Sequence, residues 1–130
     1  MRRRYLLGAI SCLTLLPAIA VAQAVKLKPH EISALLTGNT AVGKWQGVRY
    51  RQYFAADGVT LFAQQGIRTV RGKWRVDSGR EQYQSLWPSD AAWEGWFVME
   101  WDGDFYWVSK STPPTPFRVE QGQRLNWPDQ

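Results

Sequence analysis

His30 is the only histidine and Cys12 the only cysteine among the 130 residues, so the chemistry those side chains carry has little to work with. His30 follows Pro29 at an expected helix start, where an imidazole is solvated. No Ser-His-Asp arrangement, His-rich metal site or pH-poised base can be assembled from it. Cys12 falls in a leader segment and leaves with it, which removes thiol nucleophiles, disulfides and Cys-ligated metals from the remaining chain. Asp102-Gly103-Asp104 lacks further oxygen ligands at alternating positions and closes a hairpin between aromatic strands, so it reads as a turn and not as a calcium loop. Glu94 and Glu100 are the carboxylates a glycoside hydrolase would pair at about 5 to 10 Å, but nothing in the sequence places them across a cleft. The expectation is a non-catalytic chain without cofactor or metal, with a hydrolase as the third class.

Aromatic side chains are the other chemical resource: 8 Trp, 5 Tyr and 5 Phe. Flat apolar rings suit sugars or aromatic molecules, and they also fill cores and partner surfaces. Two sets stand out. Tyr50, Trp74, Tyr83 and Trp87 would line the pocket of a small-ligand binder. Trp101, Tyr106 and Trp107 would form the exposed face of an interaction module. Between Trp96 and Val108 both faces are apolar, with Trp96 and Val98 opposing Phe97, Met99 and Trp101, and Phe105 and Trp107 opposing Tyr106 and Val108. A half-exposed strand needs one such face. The surplus face must meet the N-terminal helix, a second subunit, a ligand or another protein, and the helix is the first expectation.

The elements that must position these rings follow from periodicity. Pro29, Glu31 and the 3-and-4 spacing of Ile32, Leu35 and Leu36 predict a short one-sided helix stopped at Gly38-Asn39. From Lys44 the period becomes 2. Val48, Tyr50, Gln52 and Phe54 alternate with Arg49, Arg51 and Tyr53, and Asp57-Gly58 gives a tight hairpin turn. Val59 to Ala63 returns, Gln64-Gln65-Gly66 turns again, and Ile67 to Val76 sets Val70, Trp74 and Val76 against Arg71, Lys73 and Arg75. Gly72, on the apolar side, marks a bend or a close backbone approach. Strands over Glu81 to Trp87, Trp96 to Trp101, Phe105 to Lys110 and Phe117 to Glu120 complete about seven. The fold class is all-β: an up-and-down antiparallel meander closing into a small barrel or a strongly coiled sheet, with a short N-terminal helix.

Arg2, Arg3 and Arg4, the apolar run Leu6 to Val21 and the small residues beyond it read as a signal peptide over residues 1–22, cleaved after Ala22 or Ala24. Gly8, Ser11 and Pro17 interrupt the run, which falls short of the roughly 18 to 20 residues a bilayer span needs. A lipid anchor on Cys12 would leave only Tyr5 to Ser11 as its apolar segment, which is too short. The expected location is periplasmic or secreted, with no membrane span after processing. Residues 23–43 form an N-terminal segment with the helix, residues 44–122 the meander and residues 123–130 a tail. The formal charge of +5 is largely the leader's, since three of 16 basic residues leave with it and 13 remain against 11 acidic ones. A nucleic-acid partner is therefore not expected. Residues 44–80 hold eight basic and two acidic side chains, and residues 81–130 three basic and eight acidic. If the barrel closes with those halves on opposite sides, Arg49, Arg51, Arg71, Lys73 and Arg75 make one cationic wall and Glu94, Glu100, Asp102 and Asp104 an anionic one, expected as a solvated outer face, with an anion, envelope-lipid or polysaccharide site as the alternative.

Leu36-Thr37-Gly38-Asn39-Thr40, Gly43, Tyr50 to Gly58, Gly72-Lys73-Trp74-Arg75-Val76 and Leu86-Trp87-Pro88 together resemble a family of small exported proteobacterial proteins of unknown function, over roughly residues 36 to 122. The Phe54-x-x-Asp57-Gly58 hairpin followed by Gly72-x-Trp74 also resembles the opening of lipocalin-like domains, which implies a β-barrel with an interior able to hold a ligand. Members often carry a Cys near the Leu-Trp-Pro strand and another soon after it. Ser85 and Trp93 to Trp96 stand there in this chain, and the resemblance transfers no catalytic residue. The functional expectation is an exported lipocalin-like binding module for an unidentified small ligand. The alternative is a periplasmic interaction or structural module that uses its aromatic surface on an envelope protein or on a second copy of itself.

Overall fold

Period-2 alternation from Val48 onward is what a sheet with one dry and one wet face requires, and the computed structural model folds it that way. The structure describes residues 23–127; the leader expected over residues 1–22 lies outside the described residues. A two-residue strand β1 (Val25–Lys26) and a helix α1 (Pro29–Leu36) precede eight strands. These are β2 (Asn39–Trp45), β3 (Val48–Phe54), β4 (Val59–Gln64), β5 (Val70–Asp77), β6 (Gln82–Leu86), β7 (Glu94–Trp101), β8 (Asp104–Val108) and β9 (Thr115–Gln121). Consecutive strands from β2 to β9 pair antiparallel, and β9 pairs back with β2 through Ala41↔Val119 and Gly43↔Phe117. The meander is a closed eight-stranded up-and-down barrel, not an open coiled sheet. Strand β1 pairs with β7 at Glu100 and Met99, beyond the stretch Glu94 to Trp96 that β6 occupies, and so covers the remainder of that edge.

Strand β2 corrects the expected start of the meander at residue 44. Thr40, Ala41 and Val42 are buried in succession, so no alternation marks the strand. Ala41 faces the core, while the Thr40 hydroxyl donates to Gly122 O at 2.6 Å and accepts from Arg124 N at 2.9 Å on the outer side. The C-terminal tail thus dries the outer face of β2. Strand β5 begins at Val70 and not at Ile67, because Ile67 N–H donates to Gln64 O and completes the preceding turn.

Short connections hold the register. Gln46-Gly47 (φ 53° and 82°) and Asp102-Gly103 (φ 53° and 85°) are two-residue turns with both central residues at positive φ, which matches the right-handed twist of the strands they join. At Asp57-Gly58 the Asp57 carboxylate accepts from Val59 N–H at 3.1 Å, and Gly58 takes φ 93°.

The helix plugs one end of the barrel. Its start is fixed by Pro29 and by the Glu31 carboxylate, which accepts from Lys28 N–H at 2.8 Å. Its end is fixed where Asn39 Nδ2 donates to Leu35 O and Gly38 N–H donates to Phe54 O. Helix α1 packs against β2, β5 and β6, with Ile32 and Leu36 fully buried, a contribution of about 1.5–3 kcal/mol for each side chain. The expectation that it covers the outer aromatic face is therefore corrected. Its short apolar stripe fits the barrel's end, where Phe54, Trp74 and Tyr83 wait for it.

Residues beyond β9 return over the outside of β2 and β3. Arg51, expected on the solvated cationic wall, is buried there: its guanidinium donates to Glu120 Oε1 at 2.8 Å and to Arg124 O at 2.9 Å, and it lies 5.5 Å from the Trp127 ring. Arg49, Arg71, Lys73 and Arg75 are exposed on the outer face.

Candidate functional site

Opposite the plugged end the barrel is open. The ends of β2 and β4 and the loop after β6 rim a cavity of about 490 Å³, within the range of small-molecule sites. Inward residues of β3, β4, β6, β7 and β8 supply its wall: Tyr50 and Gln52, Phe62 and Gln64, Tyr83 and Ser85, Glu94 and Trp96, and Trp107. Trp45, Trp87 and Asp90 come from the rim.

The rings form an ordered wall. Tyr50 stacks on Phe62 at 5.3 Å, Phe62 meets Trp87 at 5.7 Å and 65°, and Trp45 meets Trp96 edge-to-face at 5.7 Å and 84°. At the floor, Tyr83 and Trp107 lie 5.0 Å apart and join the pocket to the core. Trp87 keeps its place because residue 72 is glycine: a Cβ at Gly72 would stand 2.5 Å from the Trp87 ring and 2.9 Å from Leu86 O. The close backbone approach expected there is this contact. A turn locks the same segment, with Trp87 N–H donating to Asp90 Oδ2 and Asp90 N–H to Trp87 O, both at 2.9 Å.

Polar groups are set into this apolar wall. Trp107 Nε1–H donates to the Tyr50 hydroxyl at 2.9 Å, and Gln52 Nε2 donates to both the Tyr83 hydroxyl and Thr60 Oγ1 at 2.9 Å. Burial pushes both phenols up to about 12 from 10.0. The Trp107 bond at Tyr50, and those from Ser85 and Gln52 at Tyr83, work the other way. Both hydroxyls are therefore neutral at physiological pH, able to donate or accept a hydrogen bond.

Of the four residues expected to line a pocket, Tyr50, Tyr83 and Trp87 do so. Trp74 does not. It is buried in the layer nearer the plug, with Nε1–H donating to Ala55 O at 2.8 Å and its ring 5.3 Å from Phe54. Of the three residues expected on an outer surface, Trp101 is 46% exposed and Tyr106 is half-buried on the outer face, directly opposite Met99. Trp107 is a correction: it pairs with the inward Val98 and is buried. With both faces of β8 apolar, alternation defines two faces without saying which is inside. Trp45, Phe62, Trp96 and Gln52 are pocket residues the sequence reading missed. The inward parity of Phe62 with Thr60 was the available signal, whereas Trp45 depended on recognising β2.

Glu94 and Glu100 sit six residues apart on one strand, a separation of roughly 20 Å at the rise of a β-strand and beyond the reach of a glycosidase pair. Among the described residues no group of three His, Cys, Asp or Glu gathers into a metal site, and no helix is long and apolar enough to cross a membrane. A closed barrel with a buried aromatic cluster and one open end is compatible with ligand binding. Compared with protein-family models, with curated proteins and with solved structures, the chain matches none.

Proposed function

We propose that this protein is an exported, non-catalytic binding module that holds a small, largely apolar ligand with a flat ring in the open end of its barrel. The observation that carries this reading is the asymmetry of the barrel: Ile32 and Leu36 close one end, while the other opens on a cavity of about 490 Å³ faced by seven aromatic rings, two of them buried phenols. A barrel of this size needs rings to fill its core, but a core gains nothing from an unfilled aromatic cavity. The leader-like residues 1–22, the resemblance to a family of small exported proteins and the lipocalin-like opening hairpin support the same reading.

The test is tryptophan fluorescence and thermal shift of the purified protein against lipids, sugars and aromatic metabolites, with its mass in solution recorded alongside. A saturable response to one class, lost in Trp87→Ala, is expected. A well-folded protein with no response to any class contradicts the reading.

A second reading has its own observation. Phe97, Met99, Tyr106 and Val108 form an outward apolar strip in register across β7 and β8, next to the exposed Trp101. A protein partner or second copy seated on that strip would appear as a larger mass that Tyr106→Ser reduces.

A further inference from the structure

Resting on the pocket reading above, we infer that the ligand is an organic cation: a quaternary ammonium or protonated amine carried on an apolar or aromatic body. Residues 23–130 hold 13 Lys and Arg against 11 Asp and Glu, and eight of those cations fall in residues 44–80, yet the charged residues lining the cavity are Asp90 and Glu94, and none is cationic. The cations of β3 and β5 are on the outer face, where Arg75 lies over Trp93 at 4.0 Å and Arg51 is tied to Glu120. Topology therefore sorts the charge, basic outside and acidic at the mouth.

The rings point the same way. An aromatic face carries negative quadrupolar potential and attracts a cation more strongly as water is excluded. Trp45 and Trp96 stand at 84° to one another, so a group placed in their corner meets the face of one ring and the edge of the other. Glu94 lies two residues before Trp96 on the same side of β7, exposed at the mouth, and forms no ion pair among the described residues. A bound cation would gain a carboxylate and an aromatic face together, which offsets its loss of water. An anion would meet two carboxylates and no cationic donor, only amides, hydroxyls and indole N–H groups. A metal ion is a poor fit for the same wall, since among the described residues no group of three His, Cys, Asp or Glu gathers there.

The experiment uses three probes of similar shape in calorimetric and indole-fluorescence titrations of the purified protein: benzyltrimethylammonium, its uncharged carbon analogue neopentylbenzene, and the anion phenylmethanesulfonate. The expected order is cation above neutral by about three- to thirtyfold, the ratio one cation–π contact carries, with the anion weakest. Glu94→Gln should reduce the cation's affinity several-fold, leave the neutral probe unchanged and keep the melting temperature. Trp45→Leu should reduce the cation's affinity more than the neutral probe's. Equal binding of cation and neutral probe, or tighter binding of the anion, overturns the inference while leaving the pocket reading intact. So does saturable binding of a neutral or anionic compound from the wider panel where the cation does not bind. If no compound of either set binds, both readings fall.

Discussion

The indole N–H of Trp107 on β8 reaches across the barrel interior to the hydroxyl of Tyr50 on β3 at 2.9 Å. These residues are 57 apart in sequence, and neither strand pairs with the other, so the bond ties walls that no backbone ladder joins. It sits where the dry core gives way to the cavity. Trp107 stacks on Phe117 at 4.0 Å on one side and faces the pocket with Tyr50 on the other.

Removing one partner tests that tie. Tyr50→Phe leaves a buried indole N–H without an acceptor and should cost about 1–3 kcal/mol, while Trp107→Phe removes the donor together with much of a large ring and should cost at least as much. The double variant should lose less than the sum, because the orphaned N–H is gone. Denaturant midpoints of the four proteins measure this. Strict additivity would mean that the two groups do not interact in solution.

Trp74 and Lys73 are neighbours with opposite fates, one buried against Phe54 and the other exposed. Trp74→Ala should destabilise by about 3–5 kcal/mol, and Lys73→Ala by less than about 0.5 kcal/mol. Urea unfolding of each variant decides it, and equal small losses would reject the register of β5.

Gly72 and Trp87 form a matched pair of small and large. Gly72→Ala should cost about 1–3 kcal/mol by overpacking and should weaken ligand binding, because the displaced Trp87 ring lines the pocket. In a Trp87→Ala background the same substitution should cost well under half as much. An unchanged cost there would place the clash at Leu86 O and not at the ring.

How far the sequence discloses this protein follows from which signals are local. Alternation in β3 and β5 and the Asp57-Gly58 turn give the meander, and Pro29 to Leu36 gives the helix, because each rests on neighbours in the chain. Strand β2 does not show, since the tail residues that dry its outer face come from about 80 positions away. A separation of 69 to 73 positions hides Arg51, which reads as one more outward cation until Glu120 and Arg124 are folded onto it. The inward face of Trp107 is set by pairing with Val98, and the pocket by which end the helix plugs. Closure of the barrel decides both, so the candidate site was legible as a set of aromatic residues and not as an arrangement of them.

Arg51 offers a test of the tail. Its side chain is 5% exposed, but Glu120 is 34% exposed, so water screens part of the pair and its full interior strength does not apply. Arg51→Ala should still cost about 1–3 kcal/mol, because Arg124 O and the Glu120 carboxylate lose a buried charged donor. Arg118→Ala should cost less than about 0.5 kcal/mol, since its side chain is 70% exposed and 3.8 Å from the same carboxylate. Limited proteolysis gives a second readout: cleavage after Arg124 should accelerate in Arg51→Ala and not in Arg118→Ala.

Alkaline unfolding should be steep, and its sign follows from the two phenols. Tyr50 and Tyr83 keep their protons to about 12 when folded, against 10.0 for a free phenol, chiefly because burial disfavours the anion. Between those values the unfolded chain has released protons that the folded chain still holds, so stability falls as pH rises. Below pH ~10 both states are protonated and the full contribution is present. Each phenol gives a slope of up to about 1.4 kcal/mol per pH unit, so the pair together removes roughly 3 kcal/mol per unit across the window. Urea unfolding from about pH 8 to about pH 12, with tyrosinate absorption recorded in parallel, measures it. Tyr50→Phe should halve the slope, and the absorption of two tyrosines should rise only as the barrel unfolds. A flat stability profile through this range would mean that both hydroxyls reach bulk water, and a pocket floor open to that extent could not hold an apolar ring.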